Sequence, residues 1–224
     1  MPARPAAIAF DVIETLFSLE PVGARMKSAG LPEGALRLFF AQMLRDAFAL
    51  EASGVYKPFP EIAAANLAIV LAGHGLAAGK ADTGRIMGAF AELPAHPDVR
   101  AAFERVRSAG VRLFTLSNGG AESTNKLLAR AGLQDFVERV ISIDEVKRWK
   151  PNRAVYLHAA QAAGVAPARL ALVAAHAWDV QGAKQAGLLA AWVKRQDAQF
   201  HAAMAQPDAR GESLVEAVDG VLAL

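Results

Sequence analysis

The chain has 224 residues, 54% of them hydrophobic and 21% charged, which is enough apolar material for a packed core and far from a disordered composition. Lys and Arg outnumber Asp and Glu by only 24 to 22, and no basic run marks a nucleic-acid or polybasic membrane partner, so neither is expected. No cysteine is present, which excludes disulfides, a thiolate nucleophile and any cysteine-ligated metal; with no signal-peptide pattern and no apolar run of about 18 residues, a cytoplasmic protein is expected.

The first element is the apolar run Ala7–Phe10, which stops abruptly at Asp11, with Thr15 four residues on. Such a run reads as a strand buried on both faces in a parallel sheet, and open α/β sheets bind ligands just beyond the carboxyl ends of their strands. Residues 18–93 hold no strand candidate. Leu36, Phe39, Phe40, Met43, Leu44, Ala47 and Phe48 recur at helical spacing; Gly54 closes that helix, and Pro58 with Pro60 reads as a turn. A second pattern runs from Ile62 through Leu67, Val70 and Leu71 to Gly73 and Gly75, and Asp82 reads as the N-cap of a third helix through Ile86 and Phe90. Leu93–Pro97 is a hinge-like return. Helical material placed directly after the first strand suggests a cap over a cleft.

From Asp98 onward the rhythm changes. Asp98 reads as the cap of a helix through Val99, Phe103 and Val106 that stops at Gly110, and Val111–Leu116 as a strand with a Ser117-Asn118-Gly119-Gly120 turn beyond it. A helix through Leu127 and Leu128 follows, then a short strand at Val140–Ile143, a helix from Pro151 to Gly164, and a strand at Leu170–Ala174. A helix after Asp179 ends at Gly187, and Leu189–Val193 is the last clear strand. Alternation with connections this short predicts a doubly wound parallel sheet, α/β in class. Four groups then fall at strand ends: Asp11 with Thr15, Ser117 with Asn118, Lys150, and Asp179.

In these four positions the chain resembles the haloacid dehalogenase superfamily, and the resemblance covers nearly the whole length. Asp11 matches the nucleophile that ends the first strand, with Thr15 four residues on; Ser117, Lys150 and Asp179 match the second, third and fourth motifs. Closer likeness is to the L-2-haloacid dehalogenases, carried by Ser117-Asn118-Gly119, by Lys150-Pro151 with Tyr156, and by His176-Ala177-Trp178-Asp179, where the relatives have Asn in place of His176. The resemblance implies a Rossmann-like core from residues 1–17 and 94–224 with an inserted helical cap at 18–93.

It also implies a reaction. Asp11 would displace halide from a small 2-haloacid and form an ester; water would then attack the Asp11 carboxyl carbon and release a 2-hydroxy acid, with no metal and no other cofactor. Lys150 would hold Asp11 ionised, and Thr15, Ser117 and Asn118 would donate hydrogen bonds. Asp179 would position Lys150 or the water. Phe40, Tyr156, His176 and Trp178 would line the substrate. Relatives of this kind are often dimers, so a homodimer is an open expectation.

Phosphatases of the superfamily require an acid/base Asp two residues after the nucleophile, where this chain has Ile13, and a metal-binding Asp where it has Ala175. The chain also departs from the dehalogenase pattern: Phe40 stands at the substrate-gripping Arg, Ala174 at a Ser, and Glu14 where Gly is common. A Mg²⁺-dependent phosphatase, and an idle relative that only binds a small carboxylate, are the alternative expectations. Asp179 could be no more than a helix N-cap and Ser117-Asn118-Gly119 no more than a turn. His74, His96, His158 and His201 have no partners at ligand spacing.

Overall fold

The computed structural model describes residues 4–77 and 79–224; residues 1–3 and 78, which fall inside the expected segments 1–17 and 18–93, lie outside the described residues. The chain separates into two compact units, Met1–Phe17 with Ala95–Leu224, and Ser18–Pro94.

The larger unit is built on a six-stranded parallel sheet: β1 (Ala7–Phe10), β2 (Arg112–Ser117), β3 (Arg139–Ser142), β4 (Leu170–Ala174), β5 (Leu189–Val193) and β6 (Ala209–Gly211), in the order β3-β2-β1-β4-β5-β6. β1 is completely buried, and its register pairs Phe10 with Thr115 on one side and with Val173 on the other. Strands added after β1 go first to one side and then to the other, so the end of β1 is the point where the winding reverses, the usual place for a ligand. β6 has only three residues at the sheet edge, too short to show any alternation, and the sequence pattern does not reveal it.

In chain order the helices are α1 (Glu20–Ser28), α2 (Ala35–Ala52), α3 (Phe59–Gly73) and α4 (Lys80–Gly88) in the smaller unit, and α5 (Val99–Ser108), α6 (Ala121–Arg130), α7 (Arg153–Ala162), α8 (Ala177–Gln185) and α9 (Leu214–Leu222) in the larger. Helices surround the sheet: α5 and α9 pack on each other, as do α7 and α8, and α8 lies against β4 and β5. α9 buries Leu214, Ala217, Val218 and Val221, a three-four spacing that continues the fold past the last strand legible in the sequence.

Several helix ends differ from expectation. Pro60 is not in a turn but in the first turn of α3, where its missing N–H would have had no helical partner in any case. α4 begins at Lys80, so Asp82 sits inside its first turn and pairs with Arg85. Asp98 does stand at the N-cap of α5, but its side chain makes no capping bond; it is taken instead by Arg195, at 2.8 and 3.0 Å, and by the Leu214 N–H at 2.8 Å. Asp179 is the third residue of α8, and His176 occupies the N-cap. α1 buries only Val22 and Met26 and contains Gly23, so its periodicity is too weak to read in advance. Among the described residues no helix is long and apolar enough to cross a membrane.

Candidate active site

Asp11 is the first residue beyond β1. Its N–H still bonds Val173 O of β4 at 3.0 Å, so the side chain leaves the sheet where the winding reverses. The chain then turns back sharply: Glu14 N–H donates to Phe17 O at 2.7 Å and Leu16 N–H to Val12 O at 2.9 Å. This turn returns Thr15 to the carboxylate, and the Thr15 hydroxyl donates to Asp11 Oδ2 at 2.6 Å while accepting from the Ala175 N–H at 2.9 Å. The turn requires φ +65° at Glu14, a left-handed conformation that costs a non-glycine residue about 1–2 kcal/mol.

Lys150 is fully buried, and its ammonium spends all three protons: on Asp11 Oδ1 at 2.8 Å, Asp179 Oδ2 at 2.6 Å and Leu116 O at 3.0 Å. Asn118 Oδ1 accepts from the Lys150 backbone N–H at 3.1 Å, which ties the lysine segment to the end of β2. Ser117 Oγ accepts from Gly119 N–H at 2.8 Å. Both bonds use acceptor lone pairs; the Ser117 hydroxyl proton and the Asn118 Nδ2 donors are separate groups. Tyr156, also fully buried, donates to Asp179 Oδ1 at 2.6 Å, so both Asp179 oxygens are engaged.

His176 faces the other side of Asp11. Its Nδ1 lies 3.4 Å from Asp11 Oδ2 and its Nε2 lies 3.2 Å from Glu14 Oε2, and its ring stacks on Trp178 with centroids 5.2 Å apart. Glu14 Oε1 accepts from Gln196 Nε2. Of the residues expected to act together, Asp11, Thr15, Lys150, Tyr156, His176, Trp178 and Asp179 form one cluster, with Asn118 bound to its lysine. Phe40 lies in α2, in the smaller unit, half-buried.

Glu14 and Gln196 were not anticipated as part of the cluster. For Glu14 the available signal was a carboxylate three residues past Asp11 in an otherwise apolar stretch; for Gln196, in the loop after β5, there was none. His96 also belongs to this neighbourhood, with Nε2 3.1 Å from Glu14 O, and Arg195 bonds Thr15 O at 3.2 Å. Both hold the backbone of the turn that follows Asp11.

The charges alternate along the row Glu14, His176, Asp11, Lys150, Asp179. Burial by itself would raise the Asp11 carboxyl, but Lys150 and His176 overcome it and hold the group well below the usual carboxylate range, so Asp11 is ionised at any ordinary pH. Burial opposes protonation of His176, yet Asp11 and Glu14 outweigh it and push the imidazole up to about 10. Burial raises Asp179, only partly offset by Lys150, and raises the Tyr156 hydroxyl well above its ordinary value.

Residues 5–187 match the family model of the haloacid dehalogenase-like hydrolases. The chain belongs to that family. It is 29% identical over 217 residues to (S)-2-haloacid dehalogenase H-109 of Pseudomonas putida, covering 96% of this chain and 97% of that one. Among solved structures it resembles the L-2-haloacid dehalogenase RSc1362, with 26% identity, a TM-score of 0.92 and coverage of 98% and 99% of the two chains. A dehalogenase solved as an intermediate complex matches at 26% identity and a TM-score of 0.86, over 96% of each chain.

In this haloacid dehalogenase-like hydrolase, one glycine supports the site from behind. A Cβ at Gly182 of α8 would stand 2.4 Å from Tyr156 Oη and 2.7 Å from Pro151 Cβ. Gly182→Ala is therefore expected to push Tyr156 off Asp179, destabilise the protein by about 1–3 kcal/mol and lower turnover. Thermal unfolding and halide-release rates of the variant check this; unchanged values for both would contradict it.

Proposed function

We propose that this protein hydrolyses small (S)-2-haloacids to 2-hydroxy acids through an ester on Asp11. The observation that carries the reading is a buried carboxylate at the end of β1, kept ionised by an ammonium 2.8 Å away, with Ile13 where a proton-transferring Asp would serve a phosphate-ester leaving group. Halide leaves carbon without a proton, so the aliphatic residue is no handicap to that chemistry.

In the first step an Asp11 oxygen forms a bond to C2 of the substrate as the carbon–halogen bond breaks, its electron pair leaving with the halide and C2 inverting. In the second, water adds to the Asp11 carboxyl carbon, and the bond between that carbon and the substrate-bearing oxygen breaks. Lys150 stabilises negative charge on Oδ1, and Asp179, held by Tyr156, positions the lysine. Ser117 and Asn118 serve as donors to the substrate carboxylate, and Trp178 as apolar lining. Asp11 and Asp179 share the Lys150 ammonium between them. Among the described residues no group of three acidic or histidine side chains suits a metal ion, so the donor set does not fit Mg²⁺. A cytoplasmic location is part of the same proposal, and a cysteine-free sequence is compatible with a reducing compartment.

The test is chloride release from the two enantiomers of 2-chloropropionate, with and without EDTA, beside p-nitrophenyl phosphate with and without Mg²⁺. Chloride from the (S) enantiomer that survives EDTA is the expected result. Mg²⁺-dependent phosphate release without chloride would replace this reading with the phosphatase, and binding of 2-chloropropionate without turnover would replace it with an idle carboxylate binder.

A further inference from the structure

The Glu14–His176 pair presses against the nucleophile, and neither step above assigns it a task. We infer that His176 is the acid that protonates the departing 2-hydroxy acid when the Asp11 ester is hydrolysed, and that Glu14 is the positioning residue that keeps it oriented and charged for that step. The inference rests on the dehalogenase reading and deepens it.

The two oxygens of Asp11 have different neighbours. Oδ1 faces Lys150, a fully buried ammonium whose three protons are all committed, which suits an oxygen that must carry oxyanion charge without moving. Oδ2 faces the Thr15 hydroxyl at 2.6 Å and, at the looser distance of 3.4 Å, the buried His176 Nδ1. Placing the substrate carbon on Oδ2 leaves the tightly held Oδ1 as carbonyl oxygen. Water then adds to the carboxyl carbon, the bond from that carbon to Oδ2 breaks, and Oδ2 departs as the product hydroxyl with the Nδ1 proton. One proton of the water restores the imidazolium, and the other passes to solvent as the Asp11 carboxylate re-forms. Halide and one proton are the net release.

Asp179 is poorly placed for this work, because it is fully buried and both its oxygens already accept bonds. The need for Glu14 follows from charge. In the resting enzyme two carboxylates face the imidazole, but the ester removes the charge of Asp11. Glu14 then remains as the anion on the ring, at 3.2 Å, fixed in turn by Gln196, while Trp178 sets the ring plane. The other charged groups around the pair are Lys150, 5.7 Å from the Trp178 ring centroid, and His96 and Arg195, which bond the Glu14 and Thr15 carbonyls. Once the ester has formed, an imidazole lacking Glu14 would keep neither of its two carboxylate partners, and burial favours its neutral form. A carboxylate kept at a left-handed position, where glycine would be at ease, agrees with such a demand.

Single-turnover reactions of wild type, His176→Asn and Glu14→Gln with (S)-2-chloropropionate separate chloride release from hydroxy-acid release. His176→Asn is expected to release about one chloride per active site and then hydrolyse the ester about 100-fold more slowly or worse, leaving a mass increase on the peptide that carries Asp11. In Glu14→Gln the hydrolysis rate is expected to fall at a lower pH than in wild type, because the acid loses its proton sooner. Imidazole NMR titration of the unliganded proteins reads the same pairing without turnover: His176 should titrate at lower pH in Glu14→Gln, a shift that a merely structural Glu14 would not produce. If wild type releases chloride while both variants hydrolyse the ester at its rate with an unmoved alkaline limb, this inference falls and the dehalogenase reading stands. If wild type releases no chloride from 2-haloacids, both fall.

Discussion

Asp11→Asn is expected to abolish halide release, by on the order of 10⁴–10⁶-fold, the scale that follows removal of a covalent nucleophile. The amide keeps the shape of the side chain but has no anionic oxygen to attack carbon. Lys150 keeps Asp179 and the Leu116 carbonyl as partners and can keep the amide oxygen as a third, so the ammonium stays satisfied. Thr15 and His176 are affected differently. The Thr15 hydroxyl would now meet an amide nitrogen while still accepting from Ala175 N–H, and His176 would retain only Glu14 as an anionic partner. Folding is therefore expected to survive with a modest loss, whereas mass spectrometry after incubation with 2-chloropropionate should find no adduct on the peptide that holds residue 11. Turnover retained at more than about one part in a thousand, with the substitution verified, would mean that a different group attacks the substrate.

This contrast between a replaceable shape and an irreplaceable charge also explains what could be read before any coordinates were known. β1, β2, β4 and β5 are buried on nearly every residue, so each is a short apolar run bounded by turn residues, and the polar residue that ends such a run stands out. Asp11 and Ser117 were legible for that reason, whereas Lys150 and Asp179, which end no apolar run, were legible only through their place in the order of the family motifs. What escaped was anything decided between distant segments. The Glu14–Gln196 bond joins residues 182 apart, and no local pattern marks Gln196. Asp98 and Asp82 carry ordinary capping chemistry in their own neighbourhoods, but tertiary partners redirect one, and a different helix start displaces the other. α1 and β6 were missed because a nine-residue helix with two buried side chains and a three-residue edge strand have too little periodicity to detect.

Lys150→Met should be the most destabilising single change in the site, by about 3–5 kcal/mol near neutral pH, because it removes one partner from a buried ion-pair network and leaves the others behind. Methionine fills much of the lysine volume, so the loss is electrical and not a matter of cavity. Asp11 retains His176, but Asp179 retains only the Tyr156 hydroxyl, and the Leu116 carbonyl loses its donor. Burial already raises the Asp179 carboxyl above its ordinary value, and without the ammonium that rise grows until the group takes up a proton in the folded state. A carboxyl whose folded pKa exceeds its unfolded value binds protons more tightly when folded, so stability improves as pH falls through the folded pKa. The gap between wild type and Lys150→Met in chemical denaturation should accordingly be narrower at pH 5 than at pH 8. Adding Asp179→Asn to Lys150→Met should recover part of the lost stability at pH 8 while leaving turnover depressed, by about 10²-fold or more, since Oδ1 would still lack its cation. A gap that is the same at both pH values would show that the lysine matters for its packing and not for its charge.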